Sequence, residues 1–347
     1  MDRKQILVVG GAGYIGSTVV YRALEQGWCV RVIDRLMYGG SSLFRAFAYE
    51  DSFELIVRDV RDVDLDILVQ GCDYVFNAAA LVGEHICKKF PKDAVEINQD
   101  VTIEIAKACS RQGVSRYIFA STCSNYGKTD VKVDETSPVA PLSLYSSTKI
   151  NVENFLMDAS VHVPCTILRF ATIYGLASRV RFDLLIHEFI RDAWVKKEVE
   201  VYGPEGWRPF CHVDDAARAV ITVCKTCAKL PKKIIFNVGS NDQNFQKFQI
   251  GQLIKDRLPQ TKLILRYDKG DPRSYQVNFG KLSNMTGFKC IHRPKQAIED
   301  IIAGLESKLI TMKELQESVN IPEDDPIRKV PTGVAIKYAP VKKMSKL

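Results

Sequence analysis

No apolar run in this 347-residue chain approaches the roughly 18 residues that a membrane-spanning helix needs. The opening MDRKQILVVGG passes straight into a strand-like run. It has neither an apolar signal core nor a small-residue cleavage site, which makes the cytoplasm the expected compartment. A cysteine framework is missing too. The ten thiols, at 29, 72, 87, 109, 123, 165, 211, 224, 227 and 290, are scattered and mostly in apolar neighbourhoods, as small buried hydrophobes are. The one close pair, Cys224 and Cys227, shares a helix face at i, i+3. Without a second ligand pair it predicts packing rather than zinc, and no metal is expected. Internal repeats and low-complexity blocks are absent. Acid is missing from residues 328–347, where Arg328, Lys329, Lys337, Lys342, Lys343 and Lys346 carry most of the net charge of +7. The body is therefore close to neutral, which argues against a nucleic-acid partner.

What is present is ordinary globular composition, 46% hydrophobic and 26% charged, arranged in a regular alternation. Apolar runs at 6–10, 29–34, 53–59, 74–80, 116–122 and 165–171 predict strands. Helical periodicity near 14–27, 64–70, 92–112 and 145–160 separates them. Strands apolar on both faces, alternating with helices, predict an α/β fold with a parallel sheet covered on both sides. Beyond about 175 the pattern loosens, with helices near 183–195, 213–228, 246–258 and 295–309 and strands near 198–202 and 262–267. This predicts a first domain over 1–175, a smaller mixed substrate domain over 176–310 with some interleaving, and an extended basic arm over 311–347.

The stretch ILVVGGAGYIGSTVV joins a strand to a helix through Gly10, Gly11, Gly13 and Gly16. Glycines there permit a tight turn and close backbone approach, and the helix N-terminus presents free N–H groups to a pyrophosphate. At the start of an alternating chain this is a dinucleotide-binding signature of the Rossmann type, doubly wound around its sheet. Asp34 ends the second strand, where a carboxylate accepts from a ribose 2′-hydroxyl and repels a 2′-phosphate. NAD is expected in preference to NADP, with Arg35 beside it as the competing signal. Asp59 ends the third strand and is expected at the adenine edge.

Tyr145 and Lys149 lie at i, i+4 of a predicted helix, so phenol and ammonium share a face. A tyrosine of ordinary pKa near 10 is a poor base at neutral pH, and a nearby lysine favours its phenolate. The cluster Ser121, Thr122, Cys123, Ser124 follows an apolar strand and reads as a strand end opening into a polar pocket.

In order and spacing, GGAGYIG (10–16), Asp34, NAAALVG (77–83), Asn98, STCSNYG (121–127), YSSTK (145–149), RFATIYG (169–175), WRPFCHVDDAARAV (207–220) and FNVGS (236–240) resemble the extended short-chain dehydrogenase/reductases. The branch is that of NAD-dependent nucleotide-sugar epimerases and dehydratases, and the likeness covers about 5–305. It implies that Tyr145 is the base, that Lys149 binds the nicotinamide ribose, and that Thr122 meets the sugar hydroxyl being oxidised. It also implies a homodimer through the helices near 92–112 and 145–160. Cofactor contacts are expected from Gly10, Gly13, Tyr14, Ile15, Gly16, Asp34, Arg35, Asp59, Val60, Ala78, Ala79, Ala80, Val82, Asn98, Tyr145, Lys149 and Phe170. The substrate, a nucleotide-diphosphate sugar, is expected at Thr122, Cys123, Ser124, Thr172, Arg181, Arg208, Asp271 and Arg273. Arg179, His85 and Lys88 are further candidates.

The departures from the family pattern are informative. The dehydratases of this family carry Asp and Glu where this chain has Cys123 and Ser124, and a thiol and a hydroxyl do not replace that acid/base pair. Cys123 is expected only to line the pocket. Thr172 stands where the family has asparagine. The expected reaction is epimerisation, at C4, through a 4-keto sugar. The alternatives are a 4-dehydrogenase or 4-keto reductase built on the same residues, or a non-enzymatic dinucleotide-binding protein.

Overall fold

The run Ile6-Leu7-Val8-Val9 contains four apolar side chains in a row, and a strand can bury all four only if both sheet faces are covered. The computed structural model, which describes residues 3–268, 271 and 273–317, has that cover. Ile6 and Val8 enter one apolar cluster and Leu7 and Val9 another. Seven parallel strands form the sheet. Their spatial order is Lys233–Val238, Cys165–Phe170, Arg116–Thr122, Tyr74–Asn77, Gln5–Val9, Cys29–Asp34 and Phe53–Val57. The order reverses beside Gln5–Val9, whose last residue pairs with Ile33 on one side and Asn77 on the other. That crevice is where α/β sheets of this kind bind their ligands.

The six strands expected from apolar runs are all in this sheet. The seventh, Lys233–Val238, comes from the later half of the chain and pairs with Cys165–Phe170 in parallel. Arg116, buried, ties that edge down: its guanidinium donates to the carbonyls of Pro231 (2.8 Å), Lys232 (3.0 Å) and Cys227 (2.7 Å). The helix Val213–Thr226 packs on Tyr14–Glu25 across the sheet face. The remaining strands form smaller sheets. Trp207–His212 lies between Thr172–Tyr174 and Asn244–Gln246, Glu198–Tyr202 pairs with Lys262–Arg266, and Lys128–Val133 pairs with Ser274–Val277. A separate cluster, including Phe182, Ile190, Phe210, Ile250 and Ile301, supports the smaller part.

Two stretches differ from expectation. The helix predicted over 92–112 is three segments, Pro91–Val95, a π-helical turn Glu96–Asp100 and Val101–Arg111. The widened turn carries Asn98, whose amide donates to Leu81 O (3.0 Å) and accepts from Leu81 N (2.8 Å). The arm expected from 311 begins with a helix, Met312–Glu317, because Leu315 is fully buried in the third cluster. The basic stretch 328–347 lies outside the described residues. No helix among the described residues is long and apolar enough to cross a membrane.

Beneath the sheet's carboxyl edge lies a buried ion pair. Arg169 meets Glu153 with Nε at 3.1 Å from both carboxylate oxygens and Nη2 at 2.6 Å. Ser121 Oγ and Asn125 Nδ2 donate to the same carboxylate, and Arg169 Nη1 donates to Tyr126 Oη (3.0 Å). Removing one partner strands the other charge, so Glu153→Gln is expected to destabilise the fold by about 3–5 kcal/mol. Urea unfolding followed by circular dichroism measures this. A loss below about 1 kcal/mol, the range of exposed pairs, would show that the network is solvated.

Candidate active site

A cavity of about 510 Å3 runs along the crevice from the glycine loop to the helix that carries Tyr145. At one end Gly10 takes φ +82°, and a Cβ there would stand 2.8 Å from Ala79 N. A Cβ on Gly16 would overlap Gly10 O. Only glycine allows the loop to close on itself and on the exit of the neighbouring strand. The helix that follows, Tyr14–Glu25, has no side-chain cap at its N-terminus, so its first N–H groups and positive dipole end suit an anion such as a pyrophosphate.

Asp34 lies at the next strand end, with Ala12 N (2.9 Å) and Leu36 N (2.8 Å) donating to its two carboxylate oxygens. Burial pushes its carboxyl up and these two bonds oppose the shift. Arg35 also lines the cavity, and its Nη1 lies 3.4 Å from Asp59. Asp59 is clasped by Arg61, Nε at 3.0 Å and Nη2 at 2.9 Å, which outweighs burial and holds its carboxyl low. Val60, Ala78, Ala79, Ala80 and Val82 line the same wall with Gly13, Tyr14 and Ile15. Asn98 does not. It is fully buried behind Leu81, so the expectation of a direct cofactor contact is corrected to support of the Ala78–Val82 loop.

The other end is built on the Leu144–Met157 helix, whose start is fixed by a capping box between Ser143 and Ser146. One turn in, Lys149 is 2% exposed, and its Nζ donates to Ala120 O (2.9 Å) and lies 5.7 Å from the centre of the Tyr145 ring. Burial lowers Lys149 to about 8. Tyr145 is raised, first by burial and then by Cys87, while Arg181 and Arg273 pull it down. Thr122 Oγ1 accepts from Ser124 N (3.1 Å), which leaves its own proton for a ligand.

Of the expected substrate residues, Thr122, Ser124, Thr172, Arg181, Arg208, Asp271 and Arg273 line the cavity, as does Phe170 on the cofactor side. Cys123 does not, which corrects its expected place. Its side chain turns into the core with Sγ 3.1 Å from Arg169 O, and burial pushes the thiol well up, so it is inert. The strand ends at Thr122, and Cys123 opens the 3-10 turn Cys123–Tyr126 that follows it, in which its side chain points to the core. His85 and Lys88 are not among the lining residues; Lys88 pairs with Glu84 (2.6 Å) on the outer face of the helix Glu84–Lys89. Arg181 is held by Asp183 through Nε (3.0 Å) and Nη2 (2.7 Å).

Residues not expected from the sequence include Tyr275, whose Oη lies 3.4 Å from Ser124 Oγ, and Tyr38, over whose ring Arg179 sits at 3.9 Å. Period-two spacing from Arg273 was a signal for Tyr275; nothing in the sequence pairs Tyr38 with Arg179. Among the described residues no group of three or more His, Cys, Asp or Glu side chains is placed to hold a metal. All ten cysteines are free thiols.

This geometry, a nucleotide cradle facing a tyrosine–lysine pair in one crevice, is that of an NAD-dependent enzyme. The model of the NAD dependent epimerase/dehydratase family matches residues 6–239, and the chain belongs to that family. It is 26% identical to an uncharacterized UDP-glucose epimerase of Bacillus subtilis over 87% of this chain and 98% of that one. A UDP-N-acetyl-alpha-D-glucosaminuronate decarboxylase of Bacillus cytotoxicus is 29% identical over 70% of this chain and 76% of its own. The crystal structure of UDP-glucuronic acid 4-epimerase from Bacillus cereus, in complex with UDP-glucuronic acid and NAD, superposes with a TM-score of 0.78 at 25% identity. That match covers 87% of this chain and 99% of the other.

With Asp34 at the ribose end, the purified protein is expected to bind NAD more tightly than NADP. Asp34→Ala narrows the difference by roughly tenfold or more, the worth of a hydrogen bond to a charged group. Titration of both cofactors by fluorescence tests this. Equal affinities in the unmodified protein would show that Arg35 decides instead.

Proposed function

We propose that this enzyme is a nucleotide-sugar 4-epimerase. The observation that carries the reading is the pairing of Tyr145 and Lys149 with Thr122 on one cavity wall, combined with the withdrawal of Cys123 from it. Tyr145 takes the proton of the sugar's C4 hydroxyl while Thr122 donates to the oxygen. Lys149, fixed on Ala120 O, holds the tyrosine's helix face in register and adds positive charge behind it. NAD held along the glycine loop, Asp34 and Lys149 would supply the hydride acceptor for C4 and the donor for the hydride's return. The residues that follow Thr122 supply no acid for expelling water: Cys123 faces the core, and Ser124 Oγ is taken by Arg273 Nη1 (3.1 Å). Arg208 and Arg273 meet the diphosphate in this reading. The protein works as a homodimer in the cytoplasm, where its unpaired thiols remain reduced.

Two measurements check the chemistry. A panel of UDP-, GDP-, CDP- and dTDP-sugars, neutral and uronic, is incubated without added NAD. One substrate should return its C4 epimer, with deuterium placed at C4 retained there and no net NADH. A 4-keto-6-deoxy product would overturn the reading, and stoichiometric NADH would favour the dehydrogenase alternative. In the same assay Tyr145→Phe should abolish turnover while NAD binding persists. Thr122→Val should slow the chemical step by roughly 10²-fold, and Cys123→Ala should leave most activity. Near-normal turnover by Tyr145→Phe would sink the assignment.

A further inference from the structure

Two loops at the carboxyl edge of the sheet meet above the crevice. Tyr38 lies on the loop that follows Cys29–Asp34, and Arg179 on the loop Gly175–Asp183, which follows Cys165–Phe170 and its short continuation Thr172–Tyr174. Three strands, Arg116–Thr122, Tyr74–Asn77 and Gln5–Val9, separate Cys29–Asp34 from Cys165–Phe170. Four spacings of about 4.8 Å put those two strand ends about 19 Å apart. Yet the guanidinium carbon of Arg179 sits 3.9 Å from the centre of the Tyr38 ring. To meet across that span the loops must arch over the crevice, above the end of Gln5–Val9 and the glycine loop that leaves it. The far footing of the arch is firmly tied. Gly175 takes φ +102°, and a Cβ there would overlap His212 Nε2. Gly175 O accepts from Tyr14 Oη, and Gly175 N donates to His187 Nε2 (2.9 Å). The other nitrogen of that fully buried ring, Nδ1, donates to Arg181 O (2.6 Å), so one imidazole closes both ends of the loop. Between these ties Arg179, half-buried, reaches out to Tyr38, which is exposed at the rim. Both line the cavity at the end that holds Asp34.

We propose that Arg179 and Tyr38 form a latch over the adenosine half of the bound dinucleotide, and that this latch must part for NAD to enter or leave. A dinucleotide with its pyrophosphate on the N-terminus of Tyr14–Glu25 and its ribose at Asp34 lies beneath the arch. Thr122, Tyr145 and Lys149 stand at the other end of the cavity, where a substrate exchanges without disturbing the latch. The contact between a guanidinium and an aromatic face suits such a gate, because it slows opening without preventing it. The proposal goes beyond the epimerase reading and does not depend on which sugar the enzyme takes.

Stopped-flow fluorescence of NADH with the full-length protein tests it. Release is followed after a chase with excess NAD, and association after mixing with nucleotide-free protein. A gate slows both directions. Arg179→Met and Tyr38→Ala should therefore each raise both rates by roughly threefold to thirtyfold, the worth of a cation–π contact, with Kd changed by less than about threefold. The double variant should lie within about twofold of either single one, since both remove the same contact. Tyr38→Phe keeps the ring face and should release NADH within about twofold of the unmodified protein. Unchanged rates in both Arg179→Met and Tyr38→Ala overturn the proposal. Faster release with unchanged association also overturns it, because that marks a direct cofactor contact or a structural defect rather than a gate. Effects that multiply in the double variant overturn it too, since they mark two residues acting independently.

Discussion

The Glu153–Arg169 ion pair is the constraint on which the site depends. Arg169 belongs to the strand that ends at Phe170, Ser121 to the strand that ends at Thr122, Asn125 and Tyr126 to the turn after it, and Glu153 to the helix of Tyr145 and Lys149. One carboxylate therefore joins the elements that carry Thr122, Tyr145 and Lys149. A buried pair of this kind contributes little net stability over apolar packing, but it penalises any arrangement in which one member is lost. It specifies the relative position of the Tyr145 helix and the Thr122 strand end more sharply than apolar contacts could, and their relative position decides whether phenol and hydroxyl meet the same oxygen.

At the opposite end, precision comes from backbone approach. The glycine loop packs against itself and against Ala79 so closely that a single methyl would displace it. The Ala78–Val82 loop is held from behind by the Asn98 amide, itself placed by a π-helical turn. The two ends solve different problems. The cradle must admit a large, flat, charged ligand, so it is made of main chain. The chemical end must hold a proton donor and acceptor to a fraction of an ångström, so it is made of side chains locked by a polar network.

Much of this was legible in the sequence, and for identifiable reasons. Strands such as Cys29–Asp34 and Arg116–Thr122 are apolar on both faces and end at polar residues, so their limits show. Gly10, Gly16, Asp34, Tyr145 and Lys149 have functions tied to spacing along one element, which a linear reading recovers. What it missed depends on contacts between distant elements. Asn98 reads as a ligand until Leu81 is seen beside it. Cys123 reads as pocket-lining until the 3-10 turn after its strand sets it against Arg169 O in the core. The strand Lys233–Val238 was hidden because its alternation is short and its neighbour in the sheet precedes it by more than sixty residues.

That last strand also bears on how the chain reaches its fold. A nascent chain emerging in order completes six strands of the sheet before the seventh exists, so the apolar edge at Cys165–Phe170 waits until residues 233–238 have been made. The buried Arg116 waits with it, since its carbonyl partners lie at 227–232. An open, apolar parallel edge is a template for pairing with another chain. The sheet that carries the cofactor cradle is therefore not complete until residues 227–238 have been made. Shuffling this cofactor-binding half onto a different substrate half, as evolution does with separable domains, would have to carry residues 227–238 along with it.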